Sequence, residues 1–343
     1  MNNYLLIFLT AAVSFFVTAV LGFALIPWLL KYKIGQKIHE DGPETHKVKE
    51  GTPTMGGIMF IVATAVALAV GLFTSKLMGL NIVTGDFLAA ELMQTTFWSG
   101  VFMAFAFALV GFMDDFIIIL KKRNKGLNIK QKTILQLVII FAYLASLYLG
   151  MKGKPYMFVP FVGNVEMGPF FWVFGAIVMY ATTNSVNFTD GVDGLCASVT
   201  LTTALALLVI ALMRSMFGVG MLAAVLAGGC AGFLVWNKNP AKVFMGDTGS
   251  LFLGGMVLAL VYCLNTPLIL LPVGLIYVIE GASDVIQIFS YKVFGRRVFK
   301  MAPIHHHFEK SGWTEKKVVK VFTLVNILGG LTAIAIMHYG QIA

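Results

Sequence analysis

The chain has 343 residues, of which 58% are hydrophobic and only 12% are charged, and its mean hydropathy is +0.86. Because soluble domains are about 45–50% apolar and about 25% charged, this composition excludes an ordinary soluble protein and predicts a polytopic membrane protein. The net charge of +9 concerns membrane orientation, since basic residues collect in cytoplasmic loops, and it does not indicate nucleic-acid binding.

Ten apolar segments predict membrane-spanning helices, because a span needs roughly 20 apolar residues. The segments lie at 4–30, 55–75, 95–118, 132–150, 168–184, 195–213, 217–236, 250–263, 267–291 and 318–339. A further segment, 151–167, has Pro, Gly and alternating apolar residues, which predicts a short β-hairpin. We therefore expect an all-α polytopic membrane protein of about ten helices, with residues 1–343 forming a single integral-membrane domain.

The distribution of basic residues predicts which loops are cytoplasmic. Of the 25 Lys and Arg, 21 lie in alternate loops and their helix margins, and basic residues mark the cytoplasmic side. These loops are 31–50, 121–132, 184–194, 237–249 and 292–317. Ten spans then place both termini and the hairpin outside. The same topology places most of the chain's aspartates on the cytoplasmic face: Asp114, Asp115, Asp190, Asp193 and Asp247.

Carboxylates near hydrocarbon are costly and normally mark a functional site. Asp114 and Asp115 end an apolar helix in GFMDDF, where adjacent side chains face different directions, so that one can contact a metal or a nucleophile while a basic partner holds the other. The run NFTDGVDG at 187–194 combines hard oxygen donors with glycines that let the backbone pass close to a ligand. The spacing of this run is similar to that of a calcium-binding loop, but no Glu follows at the position that an EF-hand requires, so an EF-hand is excluded. Polar helix ends and turns are the alternative interpretation of both runs.

Two further runs favour phosphate binding. The run GDTGS at 246–250 opens a helix, whose free N–H groups attract phosphate, and Asp247 can hold Mg²⁺; a simple helix cap is the alternative. Lys49 and Thr54 lie in KEGTPTMGG just before the second span. They can contact a phosphate, or they belong to an ordinary juxtamembrane basic loop.

The run APIHHHFE at 302–309 lies in a basic loop with Arg296, Arg297 and Lys300. Three successive His cannot easily all face one tetrahedral ion, and the loop has no Cys. Contact with phosphate and substrate is therefore a better interpretation than zinc. Taken together, the carboxylates, hard oxygen donors, Lys and His are the components of a phosphoryl-transfer site at the membrane surface, a position that a lipid phosphate could reach as one substrate.

With these runs the chain resembles the bacterial phospho-N-acetylmuramoyl-pentapeptide transferases, of the polyprenyl-phosphate N-acetylhexosamine-1-phosphate transferase superfamily. The resemblance covers about 31–317 and rests on GTPTMGG, GFMDDF, NFTDGVDGL, VFMGDTGSL and MAPIHHHFE. It implies that phospho-MurNAc-pentapeptide passes from UDP-MurNAc-pentapeptide to undecaprenyl phosphate, giving lipid I and UMP in peptidoglycan biosynthesis, with Mg²⁺ as cofactor. It also implies a multi-pass homodimer in the bacterial inner membrane, in contact with membrane lipids.

The resemblance implies roles for individual residues as well. Asp247 and Asn187 would hold Mg²⁺, and Asp114 would be the base or nucleophile. The catalytic set would be Asp114, Asp115, Asp247, His305 and His306. Substrate contacts would come from Lys49, Thr54, Lys122, Lys130, Asn187, Asp190, Gly191, Asp193, Gly194, Asn237, Phe244, Gln287 and His307. Phe244 and Asn237 would contact the uridine.

The sequence departs from the family pattern after the Asp pair and leaves alternatives open. Ile117, Ile118 and Ile119 stand where relatives often have a basic residue, so that Lys121 or Lys122 would take its place. Asp114 either deprotonates the lipid phosphate for one in-line displacement or attacks first and forms a phospho-aspartyl intermediate. A sister enzyme that transfers GlcNAc-1-phosphate is the nearest alternative function. A cation-coupled transporter is the alternative from another class.

Overall fold

The computed structural model describes residues 2–32, 49, 51–83, 90–121 and 126–340, and this part of the chain is mainly helical. The all-α class expected from the composition is therefore confirmed. The helices are α1 (Asn2–Lys31), α2 (Ile58–Leu77), α3 (Ala90–Lys121), α4 (Ile129–Gly150), α5 (Phe170–Thr189), α6 (Leu195–Met213), α7 (Phe217–Asn237), α8 (Gly246–Cys263), α9 (Leu270–Val273), α10 (Leu275–Phe294), α11 (Ile304–Glu309) and α12 (Glu315–Tyr339).

Within these described ranges, eight helices are long and apolar enough to cross a membrane. Helix α5 has the length of a span but is not among the eight, and its last turns carry the polar run TTNSVN at 182–187. The predicted span 267–291 is not one straight helix, because Pro267–Val273 and Leu275–Phe294 meet at 90°. The break follows Pro272 and falls at Gly274, and both residue types weaken a helix interior.

Helices α7 and α8 form the centre of the bundle, since nearly every residue of their apolar stretches is buried. Helix α3 packs along α8, and α1 packs along α7. In helices α1, α4 and α12 most residues of the apolar stretch are not buried within the protein, as expected of helices whose outer faces meet lipid. Helix α8, the most enclosed of these helices, begins with Gly246 and Asp247. This part of the predicted site therefore lies at the start of a buried helix.

The predicted β-hairpin is present. Strands β1 (Tyr156–Val159) and β2 (Gly163–Glu166) pair antiparallel. The guanidinium of Arg214, in the turn between α6 and α7, lies 4.5 Å from the centre of the Phe158 ring and donates a hydrogen bond to the Leu264 carbonyl at 3.3 Å. Burial lowers the pKa of Arg214 to about 10, so the side chain stays charged at neutral pH and fastens the hairpin to the bundle by a cation–π contact.

Candidate active site

Asp115 connects the end of α3 to the start of α8. Its carboxylate accepts hydrogen bonds from the Thr248 hydroxyl at 2.6 Å, the Thr248 N–H at 2.9 Å and the Asp247 N–H at 3.2 Å. The first N–H groups of a helix have no acceptor within the helix, and here the carboxylate of a neighbouring helix accepts their hydrogen bonds. Helix α8 therefore begins at Gly246, four residues before the predicted start.

Gly246 makes this junction possible. Its φ is +70°, and a Cβ atom at this position would lie 2.5 Å from Asp115 Oδ2 and 2.9 Å from Thr54 Oγ1. Both the backbone conformation and the space therefore require glycine. Thr54, from the segment before α2, is buried beside the same junction, so three separate runs of the sequence meet here.

Lys132 is the cation of this cluster, and the sequence interpretation missed it. Its ammonium group contacts Asp247 Oδ2 and lies 3.9 Å from Asp114 Oδ2. The two lysines chosen from the sequence near this point are not in the cluster as described: Lys130 is exposed, and Lys122 lies outside the described residues. Among the described residues, Lys132 supplies the cation of this cluster, and the roles of Lys121 and Lys122 stay predictions.

A signal for Lys132 does exist in the sequence. Asn128 accepts from the Gln131 N–H at 2.8 Å, and the Gln131 side chain accepts from the Asn128 N–H at 3.1 Å. This capping box sets the start of α4 at Ile129. With that start, Lys132 and the buried Gln136 share one face of the helix. A helix that starts at 132, as predicted, has Lys132 as its first residue, so the prediction did not indicate that the Lys132 side chain lies on the buried face.

The remaining oxygen atoms of Asp114 and Asp247 are also held. Asn187 donates from Nδ2 to Asp247 Oδ1 at 2.8 Å and to the Ser250 hydroxyl at 2.8 Å. Asp114 Oδ1 accepts from the Leu127 N–H at 2.7 Å. Asp247 is thus fixed between a cation and an amide, while Asp114 keeps one oxygen directed towards Lys132. In this arrangement Asn187 orients Asp247, and its role as a metal ligand stays a prediction.

A second cluster joins Lys49 to the loop 187–194. The Lys49 ammonium lies 2.7 Å from Asp193 Oδ1 and 2.7 Å from the Glu315 carboxylate. The Asn239 amide donates to both acids, at 3.3 and 3.0 Å, and Asp193 Oδ2 also accepts from the Ala241 N–H at 2.9 Å. Lys49 and Asp193, both predicted substrate contacts, are thus paired with each other.

Asn237 and Phe244, the two residues predicted to contact the uridine, are held by hydrogen bonds within the protein. Asn237 accepts from the Gly194 N–H at 3.0 Å and donates to the Val243 carbonyl at 2.8 Å, so its amide is already used within the protein. Phe244 donates from its N–H to the Pro53 carbonyl, and its carbonyl accepts from the Gly56 N–H, both at 2.8 Å. The Phe244 side chain is half-buried. Its role at the uridine, like that of Asn237, stays a prediction.

Each of the three histidines has a different partner. His305 is fully buried and pairs through Nδ1 with Glu280 Oε2 at 3.0 Å. His306 pairs with Glu309 at 2.7 Å within α11, and His307 Nδ1 accepts from the Lys300 N–H at 3.1 Å. His307 therefore supports the loop. The predicted substrate contact Gln287 does the same, because its side chain bonds the backbone of Val298 and Phe299.

Asp190 lies beside the clusters but outside the apolar helices that could span a membrane. Burial, and then the negative charges of Asp247, Asp115 and Asp193, raise the pKa of the Asp190 carboxyl well above its ordinary value. Asp190 thus lies within electrostatic range of three other acids, and a bound cation would relieve this repulsion.

Comparison with known proteins identifies the family. A family model described as "Glycosyl transferase family 4" matches residues 97–265, and one described as "Phospho-N-acetylmuramoyl-pentapeptide-transferase signature 1" matches 49–61. The chain is 42% identical to the phospho-N-acetylmuramoyl-pentapeptide-transferase of Desulforamulus reducens, over 97% of this chain and 96% of that protein. It is 44% identical to the Acetivibrio thermocellus protein of the same name, over 92% and 90%. The chain belongs to the phospho-N-acetylmuramoyl-pentapeptide-transferase family.

Membership makes this chain a multi-pass membrane transferase, and the matched regions contain most of the site. The signature at 49–61 includes Lys49 and Thr54, and the match at 97–265 includes the aspartate cluster, Lys132 and the loop 187–194. The histidine run and Glu280 lie beyond both matches, within the part of the chain that aligns with the relatives.

The donor atoms fit a Mg²⁺ ion whose remaining coordination positions are filled by the substrate and water. Among the described residues, no group of three or more His, Cys, Asp or Glu forms a metal cage. Mg²⁺ in phosphoryl-transfer sites typically takes one or two protein carboxylates, with substrate phosphates and water filling the other positions. Asp247 offers one such carboxylate, beside the side-chain amide of Asn187.

Proposed function

We propose that this transferase moves phospho-MurNAc-pentapeptide from UDP-MurNAc-pentapeptide to undecaprenyl phosphate, giving lipid I and UMP. The observation that carries the proposal is the placement of Asp114, Asp247 and Lys132 around one point at the end of α3. Such a site combines a cation for phosphate charge with carboxylates for a metal and for the chemical step. The family name shared with the relatives supports the substrate class.

The reaction breaks one bond and forms one bond. The phosphorus attached to the sugar loses its bridging oxygen to UMP and gains an oxygen from the lipid phosphate. When bound at Asp247, with Asn187 as the second predicted ligand, Mg²⁺ would neutralise charge on the diphosphate. Lys132 lies where its ammonium group can stabilise the same charge.

Asp114 serves this reaction in one of two ways. In a single displacement it takes the proton from the lipid phosphate as that oxygen attacks. In a double displacement its carboxylate attacks the phosphorus first and releases UMP, and the lipid phosphate then attacks the phospho-aspartyl group and frees the carboxylate. Asp114 Oδ2 lies 3.9 Å from the Lys132 ammonium group, whereas Oδ1 accepts the Leu127 N–H.

The other predicted substrate contacts belong to the same proposal. We propose that Lys49, Thr54, Asp190, Gly191, Asp193 and Gly194 line the nucleotide and phosphate side, with Phe244 and Asn237 at the uridine. We also propose that His305, His306 and the loop held by His307 and Gln287 contact the substrate. Lys122 and Lys130 stay predictions from the resemblance, as does the homodimer.

Orientation is part of the same proposal. The basic loops favour a cytoplasmic active site in the bacterial inner membrane and both termini outside, and this side is where a UDP-linked substrate is available. Reporter fusions at residue 343 and in the loop 292–317 test it. Activity of an export-dependent reporter at 343 and of a cytoplasmic reporter in the loop supports the topology, and the reverse pattern contradicts it.

The direct test uses purified protein in detergent with Mg²⁺. With UDP-MurNAc-pentapeptide and undecaprenyl phosphate we expect UMP and a lipid-linked product in equal amounts. UDP-GlcNAc in place of the muramoyl substrate is the matched arm for the sister activity, and we expect no product from it. UMP release without the lipid, in an amount equal to the enzyme, would establish the double displacement. Product from UDP-GlcNAc alone would contradict the substrate assignment.

A further inference from the structure

A buried pair of side chains joins α10 to the histidine run. Glu280 lies in the second turn of α10, just after the 90° break, and its Oε2 atom is 3.0 Å from His305 Nδ1. Both side chains are 0% exposed. This pair differs from His306 with Glu309, which is partly exposed and lies within the single short helix α11.

The opposite edge of the His305 ring lies against the loop 187–194. A Cβ atom at Gly191 would lie 2.2 Å from His305 Nε2 and 2.8 Å from Cε1. No side chain can therefore stand at Gly191 while the ring keeps this position. The ring is held between Glu280 on one side and the backbone of Gly191 on the other.

The pair leaves hydrogen-bonding capacity unused. Within the described part of the chain, neither His305 Nε2 nor Glu280 Oε1 has a hydrogen-bond partner, although both atoms are buried. A buried polar atom without a partner is destabilising, because it has lost its hydrogen bonds to water. Replacing a buried ionic pair by apolar side chains is often neutral or stabilising. Packing alone therefore does not account for a Glu–His pair at this position.

We propose that Glu280 is a positioning residue that acts through His305. A carboxylate only accepts hydrogen bonds, so it requires the proton on Nδ1 and fixes both the tautomer and the orientation of the ring. The ring then keeps Nε2 against Gly191, in the loop that directly follows α5, whose last turn contains Asn187, the residue that orients Asp247. The kinetic part of this inference rests on the proposed function, whereas the tautomer does not.

The kinetic test is a double-mutant cycle on the full-length protein. We expect Glu280→Gln to lower kcat by about 10- to 100-fold, the range known for partners that orient metal-bound histidines, with the KM for undecaprenyl phosphate unchanged. Because Glu280 acts only through His305, the Glu280→Gln/His305→Gln variant should be no slower than His305→Gln alone. Glu280→Asp should recover part of the activity.

Ser283→Ala is the matched control on the same helix. Its buried hydroxyl donates to the Glu280 carbonyl at 2.7 Å and does not pair with His305, so kcat should change less than twofold. Thermal unfolding of every variant is followed alongside the kinetics. Equal losses of kcat from Glu280→Gln in the presence and absence of His305 would overturn the proposal, as would unchanged kcat in Glu280→Gln.

An activity-free measurement separates this inference from the proposed function. In protein with ¹⁵N-labelled histidine, the His305 signals, identified by their loss in His305→Gln, should show a protonated Nδ1 in the wild type. Glu280→Leu should remove that preference even if the variant unfolds at a lower temperature. A wild-type His305 protonated on Nε2 alone would overturn the proposal whether or not the assayed substrates react.

Discussion

The carboxylate of Asp115 accepts two hydrogen bonds from Thr248, from the hydroxyl at 2.6 Å and from the backbone N–H at 2.9 Å. Both oxygens of Asp115 are engaged, since Oδ1 also accepts from the Asp247 N–H. Asp114 instead bonds Leu127 through one oxygen and directs the other towards Lys132. The two adjacent acids therefore differ in their contacts: Asp115 connects α3 to α8, and Asp114 is the one that we propose for the chemical step.

Asp115→Asn should lower both stability and activity. The amide keeps one acceptor oxygen but loses the charge that attracts the N–H groups at the start of α8, where a cap is worth about 0.5–2 kcal/mol. Thermal unfolding in detergent checks this expectation. Thr248→Val, which removes only the hydroxyl, should give a smaller loss, and an unchanged unfolding temperature in Asp115→Asn would refute the structural role.

Asp114→Asn should lower kcat and leave stability and both KM values nearly unchanged. General acid–base catalysis contributes about 10²- to 10⁴-fold, so a fall of at least that order is expected. Initial rates of UMP release at varied concentrations of each substrate measure the effect. If only KM changed, the chemical role would belong to another residue.

Much of the fold and part of the candidate site could be predicted from the sequence. What could not be predicted has a physical reason. Apolar runs locate helices because each must be long enough for the bilayer, and the hairpin has its own alternating pattern. What those runs do not give is helix rotation or a contact between distant segments. Lys132 and Asp247 are 115 residues apart, and Glu280 and His305 meet across two separate helices, α10 and α11.

Lys132→Met should abolish turnover, because it removes the cation that lies between Asp114 and Asp247 and leaves their repulsion uncompensated. Lys130→Met is the matched comparison, since Lys130 is exposed two residues earlier on the same helix; as a predicted substrate contact it should raise a KM value while turnover continues. Rates of UMP release for the two variants at equal protein concentration provide the comparison. Equal losses would show that only the general basicity of this helix end matters.

Asp247→Asn should remove metal-dependent activity, because the amide keeps the shape but loses the charge of the predicted Mg²⁺ ligand. We expect wild-type activity to stop in EDTA and to return with Mg²⁺ or Mn²⁺, and the variant to stay inactive at any concentration of either ion. Titration of activity against free metal checks both statements. A variant that turned over normally in EDTA-treated buffer would end the assignment of Asp247 to the metal.

Phe244→Ala should weaken the binding of UMP and of the UDP substrate together and leave the KM for the lipid unchanged. Stacking of a base on an aromatic ring is worth about 1–3 kcal/mol, which corresponds to a rise in Kd of about 5- to 150-fold at 25 °C. The Phe244 backbone is held by Pro53 and Gly56, so the loop should keep its path when the ring is removed. Phe161→Ala, at the exposed tip of the hairpin, is the control and should bind UMP normally. Calorimetric titration with UMP measures both variants, and an unchanged Kd in Phe244→Ala would place the uracil elsewhere.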